Sequence, residues 1–86
     1  MRTGPNAPAI LDALGDPVRR LIFERLRREP RSATELAKTV PVTRSAVARH
    51  IGVLRDAGLV SGAREGVRVV YEVREEGLAP LSAWIG

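Results

Sequence analysis

Between Ser32 and Gly58 the chain reads SATELAKTVPVTRSAVARHIGVLRDAG. The order of caps, apolar spacings and breakers there admits little besides two helices joined by a tight turn. Ser32 and Glu35 fit a capping box, in which each side chain satisfies the other's orphan helix N–H. Ala33, Leu36, Ala37 and Val40 follow at helical spacing up to Pro41, which disfavours helix at the residue before it. Thr43 suits the N-cap of a second helix over 43–57, and Gly58 its C′ position. Inside that helix Val47, Ile51 and Leu54 recur at i, i+4 and i+7 and form one buried stripe. The face left over carries Thr43, Arg44, Ser45, Ala48, Arg49, Gly52 and Arg55. It is basic, short-chained and free of acids until Asp56. A helix-turn-helix whose second helix shows such a face fits a DNA major groove.

Charge supports a phosphate-facing surface. The net charge is +4, and its distribution is uneven. Residues 17–31 hold six Arg against two Glu, and residues 43–68 hold five Arg against one Asp and one Glu. Both ends of the chain are slightly acidic. Basic charge gathered around the second helix and the helix two elements before it is the pattern of a nucleic-acid partner rather than of general solubility. The chain has no cysteine, which excludes disulfides and thiolate metal sites, and with 3% aromatic residues the core must be aliphatic. No apolar run approaches a membrane span, and the start MRTGPNAPAI lacks the apolar core of a signal peptide, so a cytoplasmic location is expected.

Taken in order, residues 1–6 read as a flexible N-terminal arm and 7–86 as a single domain. A short helix from Ala7 presents Ile10, Leu11 and Leu14 on one side and ends at Gly15. Asp16-Pro17 restarts the chain as N-cap and N1. The next helix has Val18, Leu21, Ile22 and Leu26 as its core stripe. Phe23 falls off that stripe, toward the first helix or a partner subunit. Arg27 and Arg28 suit the dipole at its C-terminus, and Pro30 stops it. After the helix-turn-helix, residues 59–74 read as a β-hairpin with Arg64-Glu65-Gly66 as its turn. Val67, Val69, Tyr71 and Val73 alternate with their neighbours at strand period, and Val70 interrupts the alternation, so both faces are covered near the middle. A basic hairpin directly after a helix-turn-helix is a wing, with Arg64 and Arg68 placed to reach phosphates or the adjoining minor groove. The last stretch gives a short terminal helix with Leu78, Leu81, Trp84 and Ile85 on an apolar face that water cannot cover. Together with the stripe of the first helix it predicts a homodimer through the terminal helices. A two-fold dimer would set two reading helices roughly 34 Å apart on a palindromic site.

The segments LGDPVRRLIFERL, SATELAKTVPVTRSAVARHIGVLRDAGLV and REGVRVVYEV, in this order and spacing, resemble the ArsR-type winged helix-turn-helix repressors. The resemblance runs from Ile10 to Ile85. It implies an α+β, mainly helical fold: a winged helix-turn-helix with a two-stranded hairpin wing and dimerising terminal helices. It implies a homodimeric repressor on operator DNA, with Thr43, Arg44, Ser45, Ala46 and Arg49 reading bases and Arg64 and Arg68 in the wing. Two positions depart from the family pattern. Ala48 stands where a small hydroxyl residue is common. Arg25 stands where the second helix is usually apolar, which leaves that helix more exposed or brings Arg25 to the DNA side.

Many members of that family release DNA on binding a metal, through cysteine pairs or His and carboxylate sets. Those ligands do not carry over: cysteine is absent and the one histidine, His50, lies beside the core stripe as a structural residue. No metal and no cofactor are therefore expected. An enzyme is not expected either, since His50 has no nucleophile to pair with and no glycine-rich phosphate loop is present. The competing reading is a winged helix used for protein–protein contact, which a mixed-charge or apolar reading face would favour.

Overall fold

The computed structural model describes residues 7–80. Four helices come in the order α1 (Ala7–Gly15), α2 (Pro17–Arg28), α3 (Ala33–Ala37) and α4 (Arg44–Asp56). A two-residue strand β1 (Arg31–Ser32) precedes α3, and β2 (Val60–Glu65) and β3 (Arg68–Val73) follow α4, before a 3-10 turn at Glu75–Leu78. The expected α+β winged fold is present. Residues 1–6, and Leu81, Trp84 and Ile85 of the expected apolar face, lie outside the described residues.

Local chemistry sets each helix start. The Asp16 carboxylate accepts from Arg19 N at 2.9 Å with Pro17 at N1, and Thr43 Oγ1 accepts from Ala46 N at 3.1 Å. The capping box forms in full: Glu35 N donates to Ser32 Oγ at 3.2 Å and Ser32 N donates to Glu35 Oε1 at 2.8 Å. Gly58 ends α4 at φ 78°, the left-handed conformation a C′ residue needs.

Three expectations about the elements themselves change. Helix α3 stops at Ala37 instead of reaching Val40, because Lys38 and Thr39 turn the chain and the Thr39 hydroxyl caps the Leu36 carbonyl at 3.0 Å. The hairpin turn is Gly66-Val67, later than Arg64-Glu65-Gly66. Arg64 and Glu65 belong to β2, opposite Val69 and Arg68, and Gly66 at φ 67° supplies the turn. The wing is also more than a two-stranded hairpin. Strand β1 adds to β3 with Arg31 opposite Tyr71 and Ser32 opposite Val70, giving an antiparallel sheet in the order β1-β3-β2.

The core is aliphatic. Ile10, Ile22, Leu36, Val47, Ile51, Leu54, Leu59 and Val60 are fully buried, joined by Ala13, Leu26, Ala57 and one aromatic, Phe23. Of the two places open to Phe23, the first helix or a partner subunit, the structure takes the inner one and makes it a core residue, because α2 packs against α1, α4 and β3 at once and needs a broader apolar face than a single stripe. Ile10 departs from its expected place on a partner-facing stripe. It has no exposed surface and belongs to the chain's own core, while Leu11 on the next position is exposed.

The segment after β3 is fastened to the end of α4. Arg74 N donates to Leu59 O at 2.8 Å, and Gly77 lies so close to the Gly58 carbonyl that any Cβ there would overlap it. Gly77→Ala should therefore lower stability by about 1–3 kcal/mol in urea unfolding. Gly15→Ala, whose added Cβ meets nothing within 4 Å, should leave stability unchanged or raise it by up to about 1 kcal/mol.

Candidate nucleic-acid interface

Burying Val47, Ile51 and Leu54 turns the opposite side of α4 to solvent. Thr43, Arg44, Ser45, Ala48, Arg49 and Arg55 are exposed, Gly52 and His50 are half-buried, and Ala46 is half-buried under the Thr43 cap. Arg44 is held: its Nε donates to Thr34 Oγ1 at 2.8 Å, which leaves both terminal nitrogens pointing on from a fixed base. Arg49 and Arg55 make no hydrogen bond or ion pair with the described residues. Arg55 sits in the last turn, roughly 16 Å along the helix axis from Arg44.

Between α3, α4 and β3 runs a groove of about 720 Å³. Arg44, Ser45 and Ala48 stand on one wall, and Arg68, Val69 and Tyr71 on the other. The two expected wing arginines differ in state. Arg64 curls over the hairpin turn, with Nη1 3.5 Å from the Gly66 carbonyl. Arg68 donates from Nη1 to Glu35 Oε2 at 3.1 Å, with Glu65 4.0 Å from its other terminal nitrogen. The sheet and the groove thus bring Arg44, Ser45 and Arg68 together, while Arg55 lies at the far end of α4. Reading the sequence did not single out Thr34, or Glu35 as the partner of Arg68. Glu35 carried only its local capping signal, and nothing local marks a contact 33 residues away.

Arg25 does not reach this face. Its Nη2 donates to Thr39 O at 3.3 Å, tying α2 to the turn after α3. Arg19 caps the end of α1, donating from Nε to Ala13 O at 2.6 Å and from Nη2 to Asp12 O at 3.3 Å. Its Nη1 lies 3.3 Å from His50 Nδ1, so His50 joins α4 to the α1–α2 corner as a structural histidine. No group of three His, Asp or Glu able to hold a metal exists among the described residues, and the chain has no cysteine.

Comparison with known proteins places this geometry. A helix-turn-helix domain family model matches residues 14–62. The HTH-type transcriptional regulator Rv2034 of Mycobacterium tuberculosis is 46% identical over 69 residues, covering 80% of this chain and 64% of that protein. NmtR, another HTH-type transcriptional regulator of M. tuberculosis, is 36% identical over 90 residues, covering 93% and 75%. The solved ArsR-like transcriptional regulator from Rhodococcus sp. RHA1 superposes with a TM-score of 0.84 at 30% identity, over 92% of this chain and 74% of that one. The chain belongs to the ArsR-type winged helix-turn-helix regulators. This is a class of DNA-binding transcription regulators and not of enzymes. The chain thus spans under two thirds of the length of Rv2034. Among the described residues no helix is long and apolar enough to cross a membrane.

Within this ArsR-type frame, Glu35 is the most heavily engaged carboxylate. The Ser32 amide, and after it Arg68, hold its carboxyl below the ordinary value of 4.5. A depressed folded pKa means the interaction is complete above the ordinary value and is lost as pH falls through the lower folded one. The side-chain carboxyl resonance of Glu35 should therefore titrate below 4.5 in the wild type. Arg68→Gln should move the midpoint up only part of the way, since the larger cause remains; a wild-type midpoint at 4.5 would contradict the geometry.

Proposed function

We propose that this ArsR-type chain is a sequence-specific transcriptional regulator, a cytoplasmic dimeric repressor that binds a palindromic operator and senses no metal. Helix α4 enters the major groove. Thr43, Arg44, Ser45, Ala46 and Arg49 lie along the bases, Arg55 lies toward the end of the helix, and the hairpin carries Arg64 and Arg68 beside the flanking backbone. The observation that carries this is the exposed face of α4: Arg44, Arg49 and Arg55 with the small side chains of Ser45 and Ala48, set by the buried stripe behind them. Arg44 and Arg49 are suited to guanine, whose N7 and O6 accept a bidentate guanidinium, and each such pair discriminates by about 1–3 kcal/mol. Arg44 is the better organised of the two, because Thr34 fixes its Nε.

The test is binding to duplexes selected from a random-sequence pool. The wild type should enrich a two-fold symmetric site with guanine contacts one turn apart. Arg49→Ala should weaken binding to that site by about 1–3 kcal/mol and relax preference at one position of each half-site, with a smaller effect on unselected DNA. Added chelator or zinc should leave affinity unchanged. Enrichment of no sequence would reject sequence reading, and equal affinity of the Arg49 variant would remove that residue from the reading set.

Support for the dimer comes from α1, where Leu11 is 46% exposed, with Leu14 and Leu78 half-buried beside the core. Leu11, Leu14, Leu78, Leu81, Trp84 and Ile85 form the proposed interface; Ile10 supports it from within. Sedimentation at micromolar concentration should give a dimer, and Leu11→Glu or Trp84→Ala should shift it to monomer. A wild-type monomer would reject the interface.

A further inference from the structure

The outer half of the hairpin stands away from the core. Arg64, Glu65, Gly66, Val67, Arg68 and Val69 are all exposed, Val67 completely so. At its base the hairpin is well held: β1 pairs with β3 at Tyr71 and Val70, and Val70 is buried. Beyond that base, among the described residues, one side-chain hydrogen bond joins it to the helices: Arg68 Nη1 to Glu35 Oε2 at 3.1 Å. Glu35 is itself fixed, because its other oxygen accepts from the Ser32 amide and its own amide donates to Ser32 Oγ. One carboxylate thus starts α3 with one oxygen and holds the wing with the other.

An exposed ion pair of this kind adds little to stability, so its consequence is geometric. It sets how far the hairpin stands from α4 across the groove. It also determines which wing cation is available to DNA. Arg68 faces two carboxylates, Glu35 and Glu65, whereas Arg64 has only the Gly66 carbonyl at 3.5 Å. A cation already paired with carboxylates releases no phosphate counterion unless those contacts break.

We infer that Glu35 is a positioning residue for the wing: it holds Arg68 as a strut between the hairpin and α3 and leaves Arg64 as the wing's phosphate contact. This rests on the DNA-binding reading above and divides between two arginines the role that reading gives to both. Glu35→Gln isolates the effect, because Gln at this position still completes a capping box but loses the charge that holds Arg68.

Two measurements test it. The first is the slope of log affinity against log salt on a duplex selected by the wild type. Glu35→Gln, by freeing Arg68 for phosphate, should steepen the slope by about one. The double variant Glu35→Gln/Arg68→Gln should return it to the wild-type value, and Arg64→Gln should make it shallower by about one. Slopes that are unchanged in Glu35→Gln and shallower by about one in the double variant would make Arg68 an ordinary phosphate contact and overturn the proposal. The second is amide hydrogen exchange of the free protein, with circular dichroism to confirm retained helix. The Glu65 and Val70 amides, which bond across the hairpin, should exchange faster in Glu35→Gln and in Arg68→Gln than in the wild type, and unchanged exchange in both would overturn the strut. If the wild type selects no DNA, the functional reading fails by itself, and the exchange measurement alone decides the strut.

Discussion

The burial of one side of α4 governs the rest of the molecule. Val47, Ile51 and Leu54 are fully buried and hold the helix against α1, α2, α3 and β2. Each contributes roughly 1.5–3 kcal/mol through apolar surface removed from water. That stripe also fixes the helix's rotation. At 3.6 residues per turn, a shift of one position would swing the helix by about 100°. It would drive Ala48 and the arginine of Arg55 toward the core. The same three residues therefore stabilise the domain and choose which side chains line the groove.

What the sequence showed and what it hid divide by distance along the chain. The caps at Asp16, Ser32 and Thr43 and the stop at Gly58 act within three or four residues, and each formed as its local chemistry dictates. The three-stranded sheet did not show, because Arg31-Ser32 is too short to carry a strand period and becomes a strand only by meeting β3. Ile10 was misplaced, and Phe23 was left between the first helix and a partner subunit, for a related reason. A periodic stripe tells which residues share a face, but not how many neighbours press on it, and α2 packs against three elements. The turn at Gly66-Val67 was displaced because an Arg-Glu-Gly run does not distinguish paired strand residues from turn residues. The contacts that arrange the candidate interface, Thr34 with Arg44 and Glu35 with Arg68, link residues ten and 33 apart.

The structure also redistributes the basic charge that the composition advertises. Much of the arginine on α2 serves the fold: Arg19 caps α1, Arg25 reaches the Thr39 carbonyl, and Arg27 pairs loosely with Glu24. Arg31 and Arg74 face Glu29 and Glu76. Arg49 and Arg55 on α4 have no such partner among the described residues, and Arg44 is bound through Nε to a neutral hydroxyl that leaves its charge uncompensated. A charge count over residues 17–31 thus overstates the surface open to phosphate. The same count over 43–68 describes it well except at Arg68.

Ala48 shows how fold and recognition separate. It is exposed on the groove wall, opposite Val69 and Tyr71, and away from the buried stripe. Nothing in the core fixes its size or polarity. A methyl at this place donates and accepts no hydrogen bond. It favours an apolar base edge such as the thymine methyl over a donor or acceptor that would lose its partner. With the guanidinium of Arg44 held through Nε by Thr34, one helical face carries both a charged donor and an apolar methyl. The two side chains offer different chemistry to a groove that the core leaves free to vary.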